Sequence, residues 1–155
     1  MIKILYIFIL ISCITIFSNC ESYAKRNREL LPQEIYSLGA SDISPTGKLA
    51  KIFQINSEYT DLQREDTLEE IKNHVIAWRL PVYEVKRDGD NSYIITTQGD
   101  STLVSCIIYL TIFDDNQKKI VHSLKTGSPI TIKGLLNGKT FMRSLVIKPA
   151  VLLNK

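Results

Sequence analysis

The chain predicts a mainly β protein with some helix: a five-stranded Greek-key barrel preceded by one or two short helices. Three observations lead there. From residue 74 onward the apolar residues repeat with a period of two, the spacing of half-buried strands. Five such runs are separated by turn signals, with one helical stretch between the third and the fourth. Ahead of them, two stretches repeat with the period of a helix.

The first element stands apart from that fold. Met1-Ile2-Lys3 leads an almost unbroken apolar run from Ile4 to Phe17, then Ser18-Asn19-Cys20-Glu21-Ser22-Tyr23-Ala24. One positive charge, a short greasy stretch and a polar end with small residues mark an export signal. The run falls short of the roughly 20 residues that a membrane-spanning helix needs. Residues 1–24 are therefore expected to be a signal peptide, and the working protein to reach the periplasm or the cell surface. Two cuts fit. Small residues at Ser22 and Ala24 favour cleavage after Ala24, giving a soluble chain from Lys25. Alternatively, Phe17-Ser18-Asn19-Cys20 resembles a bacterial lipobox, with Cys20 lipidated and the protein held as an outer-membrane lipoprotein. It departs from that pattern at Asn19, where Gly, Ala or Ser is usual, and at Phe17, where Leu is usual.

Residues 25–47 read as a flexible lead-in, punctuated by Pro32, Gly39, Pro45 and Gly47. Lys25-Arg26-Asn27-Arg28 reads as its solvated start. Residues 48–155 hold the helices and the barrel. Leu49, Ile52 and Phe53 recur at helical spacing, as do Leu62, Leu68 and Ile71. Asp66-Thr67-Leu68-Glu69-Glu70 looks like a helix start, a capping residue followed by acids. The strands then run from Val75 to Val85, Ser92 to Thr97, Thr102 to Ile112, Ile130 to Leu136, and Leu145 to about Leu153. Pro81 marks an edge or a bulge in the first. Arg87-Asp88-Gly89-Asp90-Asn91 and Asn137-Gly138 read as hairpin turns. Asp114 to Lys125 is polar, with Ile120, Val121 and Leu124 spaced for one short helix and Gly127 as its stop.

Three strands, a helix and two strands is the order of the OB fold. Leu124-Lys125-Thr126-Gly127-Ser128-Pro129-Ile130-Thr131-Ile132-Lys133-Gly134 resembles the leucine–glycine–alternating-strand stretch of many bacterial OB domains. The resemblance covers about residues 73–153. More loosely, the chain is similar to small exported or lipid-anchored bacterial proteins that carry an OB domain of unassigned role. The resemblance implies binding across strands two and three and through the flanking loops, by stacked aromatics and charged rims. Candidate ligand-binding residues are then Arg79, Tyr83, Lys86, Tyr93 and Arg143. Alternation places Arg79, Tyr83 and Val85 on one side of the first strand. Trp78, Leu80 and Val82 fall on the other, which makes Trp78 a core residue.

Chemistry is harder to find. His74 and His122 lie far apart, without a zinc-ligand spacing. Asp88, Asp90 and Ser92 alternate like a calcium loop but lack its Gly and its terminal Glu, and read better as a turn. Asp114 and Asp115 read as helix-capping. No nucleophile elbow, phosphate loop or Cys–His pair occurs. The expectation is no catalytic residue, no metal and no cofactor: not an enzyme. Once the signal is removed, Cys106 is the lone unmodified cysteine, so no internal disulfide forms and a buried thiol is expected. Cleavage after Ala24 removes Lys3 and Glu21 and leaves the net charge at +3. That is only mildly basic, with no basic stripe, and argues against nucleic acid.

The sequence therefore points to an exported, non-enzymatic binding module for an envelope protein, peptide or glycan. One alternative is a single-stranded nucleic-acid-binding OB protein. The other is a secreted toxin-like oligomer subunit, whose known examples use a disulfide that this chain cannot form internally.

Overall fold

Residues 29–153 are described by a computed structural model. The expected signal peptide, the cut after Ala24, the lipidation candidate Cys20 and the basic cluster at 25–28 lie outside the described residues. Three helices come first: α1 (Pro32–Ser37), α2 (Lys48–Phe53) and α3 (Asp61–Ile71). Strands β1 (Val75–Arg87), β2 (Ser92–Thr97) and β3 (Cys106–Thr111) follow, then α4 (Asp115–Ser123), β4 (Pro129–Lys139) and β5 (Leu145–Leu152).

The five strands close into a barrel in the order β1-β2-β3-β5-β4, with β4 pairing back onto β1. Every pair is antiparallel except β3 with β5. This is the OB barrel that the element order predicts. Its length lets β1 serve two neighbours. Val75–Pro81 pairs with β4, and Val82–Arg87 pairs with β2. Pro81 sits where the strand changes partner, so its missing N–H interrupts neither ladder.

Alternation fills the barrel. Ile76, Trp78, Leu80 and Val82 of β1 point inward with Ile95, Cys106, Ile108, Leu110, Ile132, Leu136, Leu145 and Ile147. Trp78 is a core residue as expected, and its indole N–H donates to the Ile43 carbonyl at 2.7 Å, so the buried donor is satisfied. The alternation reading fails beyond Val82. A register shift between Val82 and Glu84 leaves Tyr83 and Glu84 both exposed and turns Val85 back toward the core. An extra residue in one strand reverses the faces of all that follow.

Four further expectations need correction. The segment read as a flexible lead-in holds α1, whose Ile35 is fully buried and whose Tyr36 hydroxyl donates to the Leu152 carbonyl at 3.0 Å. The helix read as starting at Asp66 starts at Asp61. Thr60 caps it, its hydroxyl accepting from the Gln63 amide while the Gln63 side chain accepts from the Thr60 amide. The third strand begins at Cys106 and not at Thr102. The Asp100 carboxylate accepts from the Thr102 and Leu103 amides, which curls that segment into a turn. Asn137-Gly138 is not the β4–β5 turn. It lies within β4, at a register shift against β5, and the chain reverses at Thr140–Ser144 instead. By contrast, Asp114 caps α4 as expected, accepting from the Gln117 amide at 2.8 Å.

Candidate functional site

With one set of side chains committed to the core, the alternate set forms the outer face. Lys86 of β1 stands opposite Ile94 of β2, which stands opposite Tyr109 of β3. In the next row Glu84, Thr96, Ile107 and Val146 are successive neighbours across β1, β2, β3 and β5. Ile94, Thr96, Ile107, Tyr109 and Val146 are partly exposed, because Tyr93, Ile95, Thr97, Cys106, Ile108 and Leu110 take the inward positions. The face is thus an apolar strip of three aliphatic side chains and one aromatic.

Charge frames this strip. The Lys148 ammonium lies 5.6 Å from the centre of the Tyr109 ring, within cation–π range. Lys86 pairs with Glu84 at 3.1 Å on the other side. Both pairs are solvent-facing and contribute little to stability. Their effect is to orient the side chains that rim the strip.

The β4–β5 turn bounds one end of the face, since Leu145 at its exit is paired with Cys106 at the start of β3. It presents Phe141, fully exposed, and Met142. Arg143, in a left-handed conformation at φ 65°, fastens this turn. Its guanidinium donates to the carbonyls of Gln54 at 3.2 Å and Ile55 at 2.6 Å, in the loop between α2 and α3. Exposed Ile55 is thereby held close to the turn.

The five candidates from sequence separate. Lys86 belongs to the face, and Tyr83 is exposed beside it at the β1 bulge. Tyr93 does not: it is buried, and its hydroxyl shares a 2.8 Å hydrogen bond with His122 Nε2. The rings meet edge-on. Its position on β2 is an inward one, in step with Ile95 and Thr97. Arg143 is spent on the carbonyls of Gln54 and Ile55 and works as a fastener. Arg79 lies on the half of β1 that pairs with β4, away from Lys86. Ile94, Ile107, Val146 and Lys148 were missed. The signal for them was the strict alternation of β2 and β3, once the phase of each strand is known.

Among the described residues no group of three or more His, Cys, Asp or Glu side chains could hold a metal. Burial pushes the Cys106 thiol up to about 12, against a smaller lowering by the Thr97 hydroxyl, so the nucleophilic thiolate is suppressed. What the face can do is make apolar contact with a charged rim.

No protein-family model and no curated protein matches the chain. Several solved structures resemble it. One is OBody AM3L15 bound to hen egg-white lysozyme, with 16% identity, a TM-score of 0.37, and coverage of 56% of this chain and 86% of that one. Another comes from Klebsiella pneumoniae subsp. pneumoniae MGH 78578 and is provisionally described as a nucleic acid-binding lipoprotein. It shows 13% identity, a TM-score of 0.43, and coverage of 60% and 81%. A third is asparaginyl-tRNA synthetase from Pyrococcus horikoshii, with 12% identity and a TM-score of 0.37, matching 55% of this chain but only 20% of the synthetase. Strand order and pairing, not these likenesses, define the barrel.

Proposed function

We propose that the protein is an exported, non-enzymatic OB module that docks a protein or peptide partner on the outer face of β1, β2, β3 and β5. The strip of Ile94, Ile107, Tyr109 and Val146 carries this reading. A partly exposed apolar strip within a charged rim has the make-up of a protein-binding patch. Phe141 and Met142 extend the apolar surface at its end. Single-stranded nucleic acid asks for several stacking aromatics along a positive groove. Here Tyr109 is the one aromatic on the strip, with Tyr83 and Phe141 outside it, and acidic Glu84 stands on the rim. A glycan partner would likewise find one aromatic platform within the strip. The apolar run Ile4–Phe17 supports action outside the cytoplasm, either free after a cut at Ala24 or tethered through Cys20.

Site-specific photo-crosslinking tests this directly. A photoreactive residue at position 107 should give a defined protein adduct in the cell envelope, and one at exposed Ala77 on the β4-paired half of β1 should not. The Tyr109→Glu substitution should abolish the adduct. Equal yield at both positions would refute the assignment of the face. Binding of an oligo-dT strand that weakens steeply with salt and is lost in Tyr109→Ala would replace it with the nucleic-acid reading.

A further inference from the structure

Arg79 lies apart from the strip, yet it lines a hollow of about 250 Å³ with Ile120, Pro129, Thr131, Leu152 and Leu153. The hollow forms where α4 passes over the ends of β4 and β5. Two things distinguish it. Five of its seven lining residues are apolar, with polar atoms sharing the surface between them, and Ile120 stands 40% exposed in its wall. Its one charge is the Arg79 guanidinium, which makes no hydrogen bond or ion pair among the described residues. Thr131, the direct cross-strand neighbour of Arg79, brings a hydroxyl to the same point.

We propose that this hollow is a second binding site, for a small carboxylate carried on a short apolar chain. The guanidinium fork matches a carboxylate with two parallel hydrogen bonds, the Thr131 hydroxyl can donate a third, and the apolar body lies against Ile120, Pro129 and Leu153. Size limits the ligand. Drug-sized pockets span roughly 300–1,000 Å³, and this hollow falls below that range, so it suits a medium-chain carboxylic acid and excludes a diacyl lipid. Charge sets the sign: Arg79 is the one charged residue in the lining, so an amphiphile with a cationic head finds no counter-charge and meets repulsion.

Octanoate is the probe, with octylammonium as its charge-reversed control, followed by methyl NMR of the full chain. Saturable octanoate shifts on Ile120, Leu152 and Leu153, with a Kd on the order of 1 mM, are expected for a ligand of this size. Arg79→Gln should weaken binding about tenfold or more. Arg79 is exposed, so this variant should fold as the parent does, and Ile120→Asp, which sets a carboxylate in the wall, should abolish binding independently. Equal shifts from octylammonium, unchanged affinity in Arg79→Gln, or shifts that never saturate or spread over the whole barrel would each overturn the site. Because Ile107 and Tyr109 lie elsewhere, this test can fail without touching the proposed partner face.

Discussion

Arg64 is the one charged side chain buried among the described residues, at 2% exposure. Its Nε donates to the Ile52 carbonyl at 3.0 Å, and its Nη1 donates to Asp61 at 2.7 Å. It so satisfies a carbonyl near the end of α2 and ties that helix to α3. Nothing in Asp61–Ile71, a run of mostly charged residues, distinguishes this arginine from its solvated neighbours. Burial of a charge is decided by what packs over it, and local sequence does not record that. Cys106 is the opposite case, legible because an apolar strand surrounds it. Its thiol titrates near 9 when unfolded and near 12 in the fold, where burial disfavours the charged form. Between those values the unfolded chain gives up a proton that the folded chain keeps. This stabilisation is complete below about 9 and is lost as pH rises toward 12. Urea midpoints followed from pH 8 to 11 should therefore fall more steeply for the parent chain than for Cys106→Ala. Parallel curves would refute the effect.

At the level of elements, β4 and β5 show how the barrel reaches its curvature. Their register shifts at Gly134/Leu136 and again at Leu136/Gly138. At Gly134 the two strands run so close that a Cβ would stand 2.4 Å from Ile147 Cγ2 and 2.9 Å from the Ala150 Cβ. Gly134→Ala should therefore destabilise the protein by about 1–3 kcal/mol, as overpacking a full core does. Gly138→Ala meets nothing within 4 Å and should cost far less. Urea unfolding of the two variants side by side checks this contrast. The same irregularities explain which elements sequence could place. β2 and the helix between β3 and β4 were legible because an unbroken period marks the one and a cap the other. The turn assigned to Asn137-Gly138 was not, since an Asn-Gly pair suits a bulge within a strand as well as a hairpin. The choice falls to pairing with β5.

For the whole molecule, the count and order of strands were enough to read the barrel, because each strand buries one face and shows its period. The face proposed to bind was not readable in the same way. One bulge after Val82 reverses the second half of β1, and the phase of β2 turns Tyr93 inward, where it meets His122 of α4. Sequence could name aromatic and basic residues on strands but not the side on which each would emerge. Closure also has a cost in robustness. A chain ended after Ser144 would leave β3 and β4 without their shared neighbour, exposing two strand edges. That truncated chain is expected to aggregate where the full chain keeps one defined size, as size-exclusion chromatography with light scattering would show. The same defined size for the truncated chain would mean that the remaining strands protect their edges by other means.

Closure through β5 also governs timing. The pairs that complete the barrel, β1 with β4 and β3 with β5, join segments distant along the chain, and such pairings form slowly, typically in milliseconds to seconds. The strand that completes it is the last of the five to leave the ribosome. Until then the barrel cannot close. For a protein expected to cross a membrane, that delay is an interval in which transport can precede folding.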